Sequence, residues 1–238
     1  MRFNSDQIQK IGKEISSKVD GKTLFDEFSR GRYSTDASVY QIKPLGVVLP
    51  KDTNDVLSLM EYSQKNSVPL LARGGGSSQC GQTVGESVVL DYSKHQNKIL
   101  ELNVEEKYVW VQPGVVLDHL NAYLKPHGLW FPVDVSTSSR ATIGGMSANN
   151  SCGSRSLYYG NMVHNVLAIE AILDDGSIFN FDQINKNYLA TKNNQDRLYK
   201  IIDKFIDVRQ QVGGEIDANW PTTQRRSEEH TSELQSQP

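Results

Sequence analysis

The chain has 238 residues, with 25 Lys plus Arg against 28 Asp plus Glu and a formal charge of −3. It is long enough to bury a substantial core and lacks the basic footprint of a nucleic-acid binder. Its first twenty residues carry charges throughout, and no apolar run is long enough to cross a bilayer, which points to a cytoplasmic chain without a transmembrane segment.

Ile8, Ile11, Ile15 and Val19 recur at spacings of three or four, which predicts an amphipathic lead-in helix from Asn4. Val47-Val48-Leu49 reads as a brief buried strand ended by Pro50. Asp52 or Thr53 can cap the next helix, whose apolar face carries Val56, Leu57, Leu59, Met60 and Tyr62 and which stops at Asn66-Ser67. A second strand follows over 68–72. This strand, helix, strand order predicts a parallel crossover, and it puts Arg73-Gly74-Gly75-Gly76-Ser77-Ser78 at the carboxyl end of a strand, where open α/β sheets bind ligands.

Three short β-rich runs at 87–91, 98–102 and 108–112, separated by polar turns, predict a change to antiparallel pairing. Gly114 then opens a helix with Val116, Leu117, Leu120 and Leu124 inward, closed by the turn Lys125-Pro126-His127-Gly128. An extended stretch over 129–133 leads into a second glycine-rich loop, 141–150. Asp174-Asp175-Gly176-Ser177 between apolar arms at 166–173 and 178–181 predicts a hairpin. A last helix, near 197–212, has Leu198, Ile201, Ile202, Phe205 and Val208 on one face.

The two glycine loops carry the chemistry. Without a Cβ, glycine lets backbone N–H groups approach an anion closely, so the pair reads as a cradle for a dinucleotide diphosphate held at both ends. A triple glycine alone is also a common flexible turn. Neither loop has the Lys-Ser or Lys-Thr of a P-loop or the Gly-x-Gly-x-x-Gly spacing of a Rossmann turn, which argues against nucleoside triphosphates and nicotinamide.

Tyr33-Ser34-Thr35-Asp36-Ala37-Ser38, 69–82 closing on Gly81-Gln82, Gln112-Pro113-Gly114-Val115, Phe131-Pro132-Val133-Asp134, the second glycine loop and Tyr159-Gly160-Asn161 occur in this order. The set, from about Arg32 to Phe181, resembles the FAD-binding domain of vanillyl alcohol oxidase and p-cresol methylhydroxylase type. Within that family it is most similar to D-lactate dehydrogenase and glycolate oxidase flavin subunits, in which a substrate-covering domain and an iron–sulfur region follow. The resemblance implies an α+β fold of two α/β subdomains, a small parallel-type βαβ unit and then a mixed or antiparallel sheet flanked by helices. It implies that Arg73, Gly74, Gly75, Gly76, Ser77, Ser78, Gly81 and Gln82 form the pyrophosphate loop and that Pro113 and Gly114 line the flavin. Asp134, Ser136 and Thr137 would follow along a second binding segment. Thr142, Ile143, Gly144, Gly145, Ser147 and Ala148 would reach pyrophosphate and flavin, Gly153, Tyr159 and Gly160 would close around it, and Ile169 would offer backbone bonds to the adenine end. Where some members attach flavin covalently through a histidine, this chain has Ser77, so FAD is expected to be noncovalent.

The resemblance implies oxidation of a D-2-hydroxy acid of the D-lactate, glycolate or 2-hydroxyglutarate class, with an electron acceptor other than NAD. An FAD-binding fragment without turnover, or a sugar or alcohol oxidase on the same domain, stays open beside it. No residue is assigned as catalytic base. His95, His119 and His127 read as surface or capping residues, and His164 as local structure or a flavin neighbour. Cys80 and Cys152 read as small buried fillers: two cysteines exclude a disulfide scaffold and cannot alone hold an iron–sulfur cluster, which would lie only in a C-terminal continuation. Trp110 and Trp130 read as core, and Arg155 as either a phosphate partner or a solvated charge. No metal site is expected. The expected division is a lead-in at 1–31, an FAD-binding domain at 32–213 with its subdomains meeting near 105, a linker or substrate-domain start at 214–225, and 226–238, which resembles a translated sequencing adapter. A full-length protein could also attach peripherally to the inner membrane.

Overall fold

The computed structural model describes residues 3–182 and 197–220; the adapter-like stretch lies outside them. The described residues fall into two compact units, one built on 3–165 and 174–176, the other on 166–173, 177–182 and 197–220.

In the first unit, α1 (Ser5–Ser16) is started by a reciprocal capping box between Asn4 and Gln7 and buries Ile8, Ile11 and Ile15, the spacing read from the sequence. Strand β1 (Lys22–Leu24) and helix α2 (Glu27–Arg32) follow. Strand β2 (Gly46–Leu49) is buried on every residue, and helix α3 (Thr53–Asn66), capped by Asp52, turns Val56, Leu59 and Tyr62 inward. Asp55 is also buried at 4% exposure. Its carboxylate accepts the amides of Asp20, Gly21 and Lys51 at 2.7, 2.9 and 2.7 Å, tying α3 to the chain ahead of β1.

Strands β3 (Leu70–Arg73) and β4 (Val88–Asp91) complete a four-stranded sheet in the order β1-β2-β4-β3. β1 is antiparallel to β2, whereas β4 lies parallel to both β2 and β3. The crossover through α3 is therefore parallel as expected, but β4 corrects the expectation of antiparallel pairing at 87–91. Val88, Val89 and Leu90 are all buried, and a continuous apolar run covered on both faces is the mark of a parallel strand inside a sheet.

Antiparallel pairing begins one strand later, with β5 (Ile99–Asn103) against β6 (Tyr108–Val111). Helix α4 (Leu117–Leu124) starts at Leu117 rather than Gly114, because residues 113–116 are engaged with the second glycine loop. A 3-10 turn over Lys125–His127 ends at Gly128, whose φ is +70°. Part of the second glycine loop is itself helical, as α5 (Ile143–Ala148), and two further short helices follow, α6 (Ser156–Tyr159) and α7 (Met162–Asn165).

The second unit holds both arms of the expected hairpin, β7 (Ile169–Ile172) against β8 (Ile178–Phe181); Gly176, in the turn that joins them, has φ +82°. It also holds helix α8 (Arg197–Asn219), longer than the sequence pattern suggested. Of its apolar face, Leu198 and Ile202 are buried, whereas Phe205 is 73% exposed.

One buried polar atom among the described residues has no partner, Gln96 Nε2. Gln96 is 7% exposed, and its backbone carbonyl accepts the Gly114 amide at 2.8 Å. A buried unsatisfied amide donor costs about 1–3 kcal/mol, and methionine has a similar length with no donor. Gln96→Met is expected to raise stability by about 1 kcal/mol in denaturant titration; an unchanged or lower midpoint would show that the amide has a partner in solution.

Candidate functional site

The first glycine loop leaves the carboxyl end of β3 at Arg73, and the second lies directly against it. A Cβ on Gly74 would stand 2.1 Å from Thr142 Oγ1, and one on Gly75 would stand 2.2 Å from the Arg140 carbonyl oxygen. Contacts that short admit only glycine. The loops are also joined by Gln82, whose amide donates to Asn149 Oδ1 at 2.8 Å, and Gln82 contacts Ser78 within its own loop.

The backbone donors of the two loops are used differently. At the start of α5, Ile143 N donates to Val115 O at 2.8 Å, Gly144 N to Pro113 O at 2.9 Å, Gly145 N to the capping Thr142 Oγ1 at 3.3 Å and Met146 N to Thr142 O at 2.8 Å. These donors are already engaged. In the first loop, the amides of Gly74, Gly75, Gly76, Ser77, Ser78 and Gln79 have no acceptor among the described residues. Such a run of consecutive unengaged N–H groups is an anion site in waiting. The second loop supplies the wall.

Beneath the first loop lies a charged cluster. Arg73 Nη1 donates to Thr83 O at 3.1 Å and Nη2 to Thr35 O at 2.9 Å, and the guanidinium lies 5.3 Å from the centre of the Tyr33 ring. Burial lowers the Arg73 pKa, against the opposing pull of Asp91 and Asp36, but a guanidinium stays charged in a protein. Tyr33 donates its hydroxyl to Asp91 Oδ2 at 2.6 Å. Burial, and then that bond, push the phenol up to about 12, so it stays a donor at neutral pH. Asp36 accepts from Ser38 N at 2.9 Å and from Thr83 Oγ1 at 3.0 Å. Burial would raise its pKa, but these hydrogen bonds outweigh burial and hold it below the usual carboxylate range.

A second group surrounds Asp134, whose carboxylate accepts from Arg155 N at 3.0 Å and Ser154 Oγ at 2.6 Å. Gly153 fits so closely that a Cβ would fall 1.2 Å from the Asp134 carbonyl oxygen. The Arg155 guanidinium lies 5.1 Å from the Trp130 ring, and Trp130 meets Tyr159 edge-on at 5.1 Å. Trp130 is 42% exposed, which corrects its reading as core: its ring covers a guanidinium at the surface. Gly160, at φ +77°, turns the chain toward His164, which accepts the Asn161 amide at 3.0 Å through Nδ1.

Thus the structure brings together the first loop, Pro113, Gly114 and the segment from Thr142 to Ala148. It gathers Asp134, Gly153 and Tyr159 about Arg155, and Thr137 accepts the amides of Arg140 and Ala141 in the turn before the second loop. Ser136 is exposed in that same turn region. Ile169 lies on β7, in the second unit, paired with Phe181. Cys152 is buried as expected, but Cys80 is exposed, a correction that follows from its place on the outer bend of the first loop beside Gly81 at φ +73°. Sequence reasoning missed Thr83 and Arg140: Arg140 meets the site through its backbone carbonyl, which leaves no trace in residue type, and Thr83 does so through its carbonyl to Arg73 as well as its hydroxyl to Asp36. Among the described residues there is no group of His, Cys, Asp and Glu that could hold a metal, and no helix is long and apolar enough to cross a membrane.

Residues 44–182, more than half of the chain, match the family model described as an FAD binding domain. The chain belongs to that family. D-2-hydroxyglutarate dehydrogenase of Haemophilus influenzae is 42% identical over 155 residues, which are 64% of this chain and 15% of that protein. The glycolate oxidase subunit GlcD of Bacillus subtilis is 37% identical over 176 residues, 72% of this chain and 37% of that one. The wild-type BBE-like 1 protein of Physcomitrella patens superposes with a TM-score of 0.63 at 20% identity, covering 79% of this chain and 39% of the other, a likeness of fold. The FAD-binding domain thus spans a minor part of the length of the relatives it matches.

The residues present fit FAD. Its diphosphate is a dianion, and the first loop of this FAD-binding domain offers six adjacent backbone donors beside glycines whose Cβ positions are already filled by the second loop. The grip is local, as a net charge of −3 requires.

Proposed function

We propose that this chain is the FAD-binding portion of a dehydrogenase that oxidises a D-2-hydroxy acid of the D-lactate, glycolate or 2-hydroxyglutarate class, handing electrons to a carrier other than NAD. One observation carries the cofactor part: two glycine loops in contact, one of them with six amides that have no acceptor among the described residues. The substrate class rests on the relatives, which are named for D-2-hydroxyglutarate and glycolate. The binding region runs over 32–213, with Arg73 to Ser78, Gly81 and Gln82 forming the diphosphate loop. Pro113 with Gly114 and Thr142 to Ala148 form the facing wall, Asp134, Ser136, Thr137, Gly153, Tyr159 and Gly160 flank it, and Ile169 serves the adenine end.

FAD supplies the two-electron oxidation; the protein binds and orients it. Backbone N–H groups of the first loop hold the diphosphate, and the close-packed second loop keeps water and side chains out of the space behind it. Ser77 offers a hydroxyl where covalent attachment would need a stronger nucleophile, so the flavin is held noncovalently. A second reading is favoured by the small share of the relatives' length that the chain spans: the 238 residues bind FAD without turnover.

Purified chain is expected to be yellow, or to become so on adding FAD, and acid precipitation is expected to release FAD into the supernatant. A colourless chain that FAD cannot reconstitute would overturn the cofactor assignment. With FAD bound, bleaching of the flavin by a D-2-hydroxy acid under anaerobic conditions supports the dehydrogenase reading. A flavin that stays oxidised with every such acid selects binding without turnover.

A further inference from the structure

Arg73 stands where a phosphate partner would be expected, yet its guanidinium is committed to protein. The side chain of the residue that opens the first loop reaches past the loop to the carbonyl of Thr83, just beyond its end, and with its other nitrogen to the carbonyl of Thr35. Thr83 is held a second time, by Asp36. At the middle of the loop, Gly76 adopts φ +65°, and a Cβ there would lie 2.4 Å from Arg73 Nη2. The loop therefore bends directly over the guanidinium. From below, Tyr33 backs the guanidinium and is itself fixed by Asp91.

We propose that Arg73 is a positioning residue for FAD: its fork, bonded to the carbonyls of Thr35 and Thr83, closes the first glycine loop and aligns the amides of Gly74 to Gln79 toward the diphosphate without touching phosphate. The inference rests on the FAD reading above and assigns this arginine a role distinct from a phosphate contact. Two carbonyls at a fixed separation call for a planar, multiply donating group, which a lysine ammonium cannot reproduce.

The test compares Arg73→Lys, which keeps the charge without the fork, with Arg73→Gln, which keeps a donor without the charge. Flavin fluorescence titration of the full chain gives FAD affinity, and NMR relaxation of backbone amides before FAD is added gives loop order. Arg73→Lys is expected to weaken FAD binding about tenfold or more, since hydrogen bonds from a charged donor are among the stronger ones. Its Gly74 to Gln79 amides are expected to become mobile on the fast timescale, with α1 and α3 unchanged. Arg73→Gln is expected to weaken binding by a similar or smaller factor.

Wild-type affinity in Arg73→Lys, with or without a loss in Arg73→Gln, overturns the proposal, because charge alone or neither property would then suffice. A loss of affinity accompanied by loosening of α1 and α3 also overturns it, since Arg73 would then serve general stability. Failure of the wild-type chain to bind FAD sinks the cofactor reading instead, and the relaxation data still decide whether Arg73 orders the loop.

Discussion

Gly75→Ala is expected to lower FAD affinity about a hundredfold while leaving the four-stranded sheet folded. The added methyl would stand 2.2 Å from the Arg140 carbonyl oxygen and 2.9 Å from its carbon, and neither is the movable tip of a side chain. Both are backbone in the turn whose Arg140 and Ala141 amides are bonded to Thr137, so the first loop must lift. Lifting tilts the amides around Gly75 away from the diphosphate, and losing two hydrogen bonds to a charged acceptor, each worth about 1.5–3 kcal/mol, gives that factor or more. Gly75 is exposed, so its substitution leaves the core intact. Circular dichroism with a melting curve checks the fold, and fluorescence titration reads the affinity. A dissociation constant within threefold of the wild type would mean that the loops part in solution and that their contact does not shape the site.

Gly153→Ala is expected to be the more damaging change to the protein itself. The position of its Cβ coincides with the Asp134 carbonyl group, 1.2 Å from the oxygen and 2.4 Å from the carbon. No rotamer change relieves this. The two strands of chain must separate, which removes the Asp134 bonds to Ser154 and Arg155 and strips Trp130 of its guanidinium cover. Overpacking of this kind costs about 1–3 kcal/mol in ordinary cores, and a forced backbone separation with broken hydrogen bonds lies at or above the top of that range. Gly31→Ala is the matched control, because nothing lies within 4 Å of the added atom. Urea titration of both variants should show a drop of about 3 kcal/mol for Gly153→Ala and little change for Gly31→Ala. Equal midpoints would mean that the Asp134 and Gly153 segments are not packed as described.

Much of the fold is legible in local pattern. Ile8, Ile11 and Ile15 bury one stripe of α1, and Asp174-Asp175-Gly176-Ser177 makes the predicted hairpin turn. What local pattern did not reveal was adjacency. Val88-Val89-Leu90 announces a strand buried on both faces, but nothing near it in sequence says that its neighbours are β2 and β3 rather than β5. The glycines marked both loops as places of close approach. Their division of labour was hidden, because it depends on the carbonyls of Pro113 and Val115, which any residue could supply. Trp130 misled for a different reason: an indole in an extended apolar run reads as interior unless one knows that Arg155 will lie across its face.

The strand order also fixes when the first loop can be anchored during synthesis. β2 and β3 have no ladder with each other; β2 pairs with β1 and β4, whereas among the described strands β3 pairs with β4 alone, which emerges from the ribosome after both. Until residue 91 is made, β3 has no partner in the sheet, and the loop that springs from its end has no base. Tyr33 likewise waits for Asp91, and the Arg73 carbonyl waits for the amide of Tyr92. A single late strand thus completes the sheet, seats the tyrosine and anchors the root of the phosphate loop together. A nascent chain gains the base of its first loop in one step, and the wall formed by the second loop is added later.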